Sequence, residues 1–422
     1  MSLLSFEEVK IYDDATSVRD IMKSVIKKEN QEEPFYILDL DDLVKKHRDW
    51  VRKMPRIVPH YAVKVNPDET VIKVLAALNG CFDCASEQEI RQVMKLGVSP
   101  DRIIFANPAK YLSHIRFARK VGVRKMTADS EVELLKIKKF FPEAEIVLRF
   151  RCDAEFTEAH LGLKFGCEPD DAIDLMQFMK NLGLNLHGFS FHVGSPCKEI
   201  YAYQRGVKIS KRLLAIAEQM GFKDVTLIDI GGGIPGESGE TLDELAELLN
   251  EEIKDIDRSI RIISEPGRYY VTSAFNLAAN LHTKKIVNRD DTTMRMYYVN
   301  CGVYNSFIEE LLDLKARVPT SLYKPGKNEE KYLSTIWGPT CDSFDCIVKN
   351  VLLPDYDLDD WLLWTNMGSY TIALSCSFNG FLPPVIIPIS RKSQWESFCR
   401  EVKQIKNSMN FNNGYQEEIN CA

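Results

Sequence analysis

The sequence lacks an apolar run long enough to span a bilayer, which takes about 20 consecutive residues, and this argues against a membrane-embedded chain. It also lacks a basic excess. Its 54 Lys and Arg stand against 61 Asp and Glu, for a formal net charge of -7, so no general field draws it to nucleic acid or to an anionic membrane surface. Neither nucleic acid nor membrane is an expected partner. The 11 cysteines are scattered, and neither Cys81/Cys84 nor Cys341/Cys346 has a second pair at zinc-ribbon spacing, so reduced thiols are expected. The Cys81-Phe-Asp-Cys84 spacing occurs in redox motifs, but here it falls in a strand-like segment rather than at a helix start that would acidify a thiol. The opening MSLLSFEEVKIYDD carries acids where a secretory signal has a basic region and an apolar run, which makes the cytoplasm the expected compartment. No internal repeat is present.

At 422 residues the chain exceeds what one core usually supports, and 45% hydrophobic with 27% charged residues is ordinary globular usage. Two domains are expected. From about Pro34 to Tyr270, short β-rich runs alternate with helical patterns, as parallel strands joined by crossover helices do. The candidate strands are His60–Val65, Cys81–Ala85, Ile103–Ala106, Lys125–Ala128, Ile146–Arg151, Leu186–Val193, Val225–Ile230 and Arg261–Ser264. Eight such units predict a closed (β/α)8 barrel over 35–271. Val71–Leu78, Glu131–Phe140, Ala172–Leu182 and Leu242–Ile253 space apolar residues by three and four, which gives each a face to bury. After Tyr270 the pattern changes to strands such as Met294–Val299, Leu333–Trp337 and Trp361–Trp364, predicting an antiparallel β domain from 272–422 joined by 1–34. Lys315–Lys331 reads as a surface loop and Asn407–Ala422 as a polar, mobile tail.

Four strand ends carry residues capable of chemistry. In His60-Tyr-Ala-Val-Lys64-Val-Asn66, strand alternation puts Lys64 on one face with Ala62 and Asn66. Lysines are mostly exposed; one turned into a barrel must be paired or have its pKa lowered, and a lysine with a lowered pKa is the kind that forms Schiff bases with carbonyls. Asp229-Ile-Gly231-Gly-Gly233-Ile-Pro-Gly236 runs from the seventh strand into glycines, where barrels hold phosphates; glycine-rich turns are also common in their own right. Glu265-Pro-Gly267-Arg268 ends the eighth strand with a carboxylate and a guanidinium, which suits a structural ion pair. It equally suits a pyridine nitrogen and a phosphate. Phe191-His192-Val-Gly-Ser195 brings an imidazole and a hydroxyl to a strand end; alone, His192 reads as a hydrogen-bonded core residue. All four converge on one barrel mouth.

These residues resemble the eukaryotic ornithine decarboxylases, in the fold-type III group that includes alanine racemase. The likeness spans nearly the whole chain through Tyr61–Asn66, Phe82–Ser86, Phe191–Ser195, Asp229–Gly233, Glu265–Tyr270, Trp337–Asp342 and Phe378–Phe381. It implies pyridoxal phosphate as cofactor and decarboxylation of a basic L-amino acid, foremost L-ornithine to putrescine in polyamine synthesis. It further implies that Lys64 carries the cofactor covalently, Glu265 meets the pyridine nitrogen and His192 stacks on the ring. Ser195, Gly232, Gly233, Gly267, Arg268 and Tyr370 surround the phosphate, and Asp83 and Arg149 support lysine and ring. Cys341 and Asp342 enter the partner's site across a homodimer interface, Cys341 guiding protonation and Asp342 taking the substrate's distal ammonium, in a pocket with Tyr304 and Phe378.

The sequence departs from the family at Cys301, where a substrate-binding aspartate is usual, and at Val65 and Pro196. Loss of one carboxylate of a pair costs roughly 1.5–3 kcal/mol, about ten- to a hundredfold in affinity, so lysine, arginine or an amino acid with a less basic side chain competes with ornithine as the expected substrate. The alternative is a binding protein like the antizyme inhibitors, whose sign is erosion of cofactor residues; here Lys64, Asp83, Arg149, His192, Glu265, Arg268, Cys341 and Tyr370 are all kept. Lys110, Arg116, Arg119, Lys120, Arg124, Lys125, Lys136, Lys138 and Lys139 make 110–139 the region expected to bind antizyme, or else a solvated helix face.

Overall fold

The computed structural model describes residues 6–289, 292–312, 317–323 and 330–413. Two compact units emerge, one built on Val44–Tyr270 and the other on residues up to Leu43 together with those from Val271 onward.

In the first unit eight parallel strands close a ring in the order Ile57–Ala62, Cys81–Cys84, Ile103–Phe105, Lys125–Ala128, Glu145–Arg149, Asn185–Ser190, Leu227–Asp229 and Arg261–Ser264. The last strand pairs with the first through Ile262 and Ile57. Ile104, Ala106, Val147, Leu227 and Ile263 fill the interior, which makes the barrel a packed core with two separate mouths. Helices start where capping residues stand. Asp68 accepts from the Thr70 and Val71 amides, and Ser86 from that of Glu89, while Glu89 Oε2 returns to the Ala85 amide at 2.5 Å. This capping-box pattern fixes the chain directly after the strand that carries Asp83.

The first strand ends sooner than its alternation predicts. After Ala62 the backbone turns into the 3-10 segment Val63–Val65, with the Asn66 amide on Val63 O and Tyr61 Oη on Asn66 O at 2.7 Å. A turn therefore aims Lys64, not a pleat. His192 likewise lies just beyond Asn185–Ser190.

The second unit is a sheet ordered Lys10–Tyr12, Val385–Arg391, Phe35–Asp39, Phe275–Arg289, Thr292–Val299, Lys331–Trp337 and Cys346–Pro354, with Trp361–Trp364 also on Phe275–Arg289. It is mixed, not antiparallel as expected. Lys10–Tyr12 and Phe35–Asp39 both run parallel to Val385–Arg391, and Thr292–Val299 runs parallel to Lys331–Trp337. Side-chain alternation is the same in both strand directions, so the pattern could not distinguish them. The expected boundary at residue 35 moves to Val44, because Phe35–Asp39 pairs in this sheet. Ile21, Met22, Val25, Phe35, Ile37, Trp361, Leu363 and Ile389 form its core. Helix Lys392–Asn413 takes up the start of the expected tail. Residues 414–422, and residues 315–316 and 324–329 of the loop expected over 315–331, lie outside the described residues, while Thr320–Ser321 within that loop pairs with Trp361–Trp364 instead of lying free on the surface. Among the described residues no helix is long and apolar enough to cross a membrane.

Candidate active site

At the C-terminal mouth of the barrel, Lys64 Nζ lies 2.7 Å from Asp83 Oδ2. Asp83 ends its strand fully buried, and burial raises its carboxyl to about 7 even though Lys64 pulls the other way. Across the mouth Glu265 is pushed well above the usual carboxylate range, by burial first and then by Asp229; burial likewise raises Asp229 to about 6. Three buried carboxylates thus face two cations, Lys64 and Arg149. Asp83 Oδ1 has no hydrogen-bond partner, and the Asp229 carboxyl faces that of Glu265.

His192 is held well below its ordinary value by burial, with Arg149 and Lys64 adding to the effect. Its ring is neutral, and Nδ1 accepts from the Gly194 amide at 3.1 Å, so the proton sits on Nε2.

Beside these groups lies a cradle of close backbone approaches. Arg268 Nε donates to Ser195 Oγ at 3.1 Å. A Cβ on Gly233, at φ 92°, would stand 2.0 Å from Gly194 O, and one on Gly232 would stand 2.4 Å from Glu265 O. Only glycine fits there. Gly267 has a different neighbour: a Cβ would meet Val65 Cγ2 at 2.2 Å, so packing on Val65 accounts for it.

The remaining expected site residues lie in the second unit, where the structure gathers four of them. Tyr304 Oη donates to Asp342, its ring stands 4.7 Å from that of Phe378, and the Cys341 amide donates to Asn379 Oδ1 at 3.1 Å. The Tyr304 hydrogen bond holds Asp342 below the usual carboxylate range. Cys301 stays apart from this group. It is fully buried, its thiol lies 3.2 Å from Ser306 Oγ, and burial pushes it up to about 12. Tyr370 takes a left-handed φ of 53°, next to a buried Ser369 whose Oγ lies 2.5 Å from Thr272 Oγ1.

Two contributors escaped sequence reasoning. Asp229 was only the residue ahead of the glycines, yet its place at an inward strand end was a usable signal. Asp345 had none. This buried carboxylate accepts from the Val303 amide at 2.8 Å and the Thr340 amide at 2.9 Å, joining the Tyr304 segment to the Cys341–Asp342 loop. Gly302 and Gly338 leave room for it. The basic region also changes on folding. Lys110 is buried against Glu133 at 2.9 Å, and Lys125 is buried with its Nζ on Asp101 O. Neither belongs to the solvent face expected over 110–139, because each sits at a strand or turn whose carbonyls and carboxylates draw the ammonium inward.

The donor set at the barrel mouth fits pyridoxal phosphate. Buried carboxylates with a raised affinity for protons suit a cationic ring N–H, and a guanidinium beside a glycine cradle suits a phosphate. Residues 40–272 match the family described as pyridoxal-dependent decarboxylase, pyridoxal binding domain. The chain is 40% identical to ornithine decarboxylase of Rattus norvegicus over 405 residues, 92% of this chain and 87% of that one. It is also 40% identical to antizyme inhibitor 2 of Xenopus laevis over 395 residues, 90% and 86% of the two chains. The crystal structure of the Paramecium bursaria Chlorella virus arginine decarboxylase superposes with a TM-score of 0.84 at 34% identity, covering 88% of this chain and 100% of that one. Since the family match lies over the same barrel that carries Lys64, Asp83 and Glu265, this chain belongs to the pyridoxal-dependent decarboxylases, carboxy-lyases that work with pyridoxal phosphate.

Proposed function

We propose that this protein decarboxylates a basic L-amino acid, with L-ornithine to putrescine as the principal reaction. The observation that carries the reading is the charge arrangement around Lys64, which retains an ammonium, a neutral imidazole and a proton-holding carboxylate pair in one mouth. When bound, the cofactor supplies an electron-poor ring that accepts the electron pair left as carbon dioxide departs. Lys64 would hold it covalently, with Asp83 fixing the amine. Glu265, whose proton affinity burial and Asp229 raise, would accept strongly from the N–H of the ring nitrogen. His192 offers the flat face of a neutral ring, and Arg268 with Ser195, Gly232 and Gly233 would take the phosphate.

Asp342, kept ionised by Tyr304, suits the distal ammonium of the substrate through a charge-assisted bond of about 1.5–3 kcal/mol. Cys341, exposed and anchored through its amide, is proposed to return a proton to the substrate carbon. Both are proposed to act in a partner's site. The exposed Phe344, Phe378, Phe381 and Leu382 around them favour a homodimer that covers this face. A partner of the antizyme type is proposed to meet the exposed Arg116, Arg119, Lys120, Lys138 and Lys139.

Cys301 and the equal likeness to an antizyme inhibitor favour a second reading, that of a binding protein without turnover. Carbon dioxide release from L-ornithine, L-lysine and L-arginine, measured beside Lys64→Ala, separates the two. Turnover of one substrate, abolished in the variant together with the visible absorption of the lysine-bound cofactor, is expected. Cofactor-loaded protein that turns over none of the three defeats the enzymatic reading.

A further inference from the structure

The opposite, N-terminal mouth of the barrel holds a cavity of about 250 Å³ lined by His60, Lys125, Glu145, His187, Ser259 and Arg261. The apolar layer of Ile104, Ala106, Val147, Leu227 and Ile263 fills the barrel interior. Lys125, Glu145 and Arg261 are the first residues of their strands, two positions before Thr127, Val147 and Ile263, so each shares a face with the residue that follows it inward. His187 arrives by a different device. The register slips between Ile146 and Val147, which pair with Leu186 and Gly188, leaving His187 as the extra residue of a β-bulge. Bulges at barrel rims re-aim side chains.

Among the residues that line the cavity, Lys125 and Arg261 stand against one carboxylate, Glu145, which already receives Arg124 Nε at 3.0 Å. Asp101 and Asp224 act on Lys125 and His187 from outside the lining, and Lys125 Nζ also donates to Asp101 O. Burial and the nearby Arg261 both depress Lys125, the repulsion expected of two cations at one cavity. His60 is buried, with Nδ1 3.2 Å from Val58 O, and Nε2 has no hydrogen-bond partner. Burial holds this ring near 3, with Arg261 and Lys125 contributing. Nε2 is therefore a lone pair that needs a donor, and an unmet buried acceptor is costly.

We propose that this mouth binds a protonated oxyanion of the phosphate class, either inorganic phosphate or a small phosphomonoester. Lys125 and Arg261 meet the negative oxygens, Ser259 lies at the rim, and the P–OH donates to His60 Nε2. Sulfate carries the same charge without that proton, and chloride supplies neither oxygen nor proton. The site lies at the other end of the barrel from Lys64 and does not depend on the decarboxylase reading.

Calorimetric titration of the cofactor-loaded protein, whose own phosphate subsite is filled, with inorganic phosphate at constant ionic strength is the test. Saturable binding is expected, weaker for sulfate, and reduced about tenfold or more by Arg261→Gln. Ser259→Trp, at an exposed rim position, should block the site without removing a buried charge. Glycerol 3-phosphate in a parallel titration distinguishes a metabolite from the free ion, and binding of either supports the site. No saturable phosphate binding, or binding unchanged in both variants, overturns the proposal, and sulfate bound as tightly as phosphate overturns the role of His60.

Discussion

Replacing Asp83 by Asn should flatten the pH dependence of stability in the cofactor-free protein. The native carboxyl holds its proton to about pH 7, while the unfolded chain releases it near 3.8. Between those values the native state binds more protons than the unfolded state, so stability falls as pH rises. The whole difference corresponds to roughly 4 kcal/mol against the ionised native form. Of this, roughly 2–3 kcal/mol is lost between about pH 5 and pH 8. Asp83 is 1% exposed, so solvent screening takes little from these figures. Asn also removes the hydrogen-bond partner of Lys64 Nζ, so the variant's curve is displaced as well as flattened. Denaturant unfolding at several pH values, with wild type and variant side by side, reads the tilt. Parallel curves for the two proteins would refute the assignment of Asp83 as the proton-holding group.

Gly233→Ala places a methyl 2.0 Å from Gly194 O at a positive φ, which should cost about 1–3 kcal/mol and weaken cofactor affinity; thermal unfolding and cofactor titration measure the two effects. Asp345→Ala strips the acceptor from the Val303 and Thr340 amides, so KM for a basic substrate should rise more than kcat falls, and steady-state kinetics with unchanged KM would discount the loop's dependence on it. Tyr304→Phe removes the hydrogen bond that holds Asp342 low, so the acid-side rise in KM should begin at higher pH than in wild type, as a pH profile of KM would reveal.

The barrel was legible because its evidence is local. Each strand announces itself by a short β-rich run, each helix by its period, and Lys64, His192, Gly231 and Glu265 all fall at strand ends, where (β/α)8 barrels carry their chemistry. Strand length was less legible, since the turn at Val63–Val65 depends on hydrogen bonds from Tyr61 and Asn66 that no periodicity encodes. Direction was illegible in the second unit: Phe35-Tyr-Ile-Leu38 reads equally well as a barrel strand and as a neighbour of Val385–Arg391. Its place is decided by partners more than two hundred residues away.

Charge shows the same limit from another side. Counting lysines and arginines over 110–139 treats every cation alike, yet folding directs Lys110 to Glu133, Lys125 into the lower barrel mouth and Lys138 to solvent. Cys301 behaves similarly. As a residue type it marks a lost carboxylate, but in the fold its thiol is buried beside Ser306 with Asp345 among its charged neighbours. An aspartate there would be buried within reach of a second buried acid, and its proton would be retained for the same reason that Asp229 and Glu265 retain theirs. Under the proposed reading, selectivity among basic substrates is expected to rest with the carboxylate that stays ionised, Asp342, and with the Tyr304 hydroxyl and Asp345 carboxylate that hold its loop.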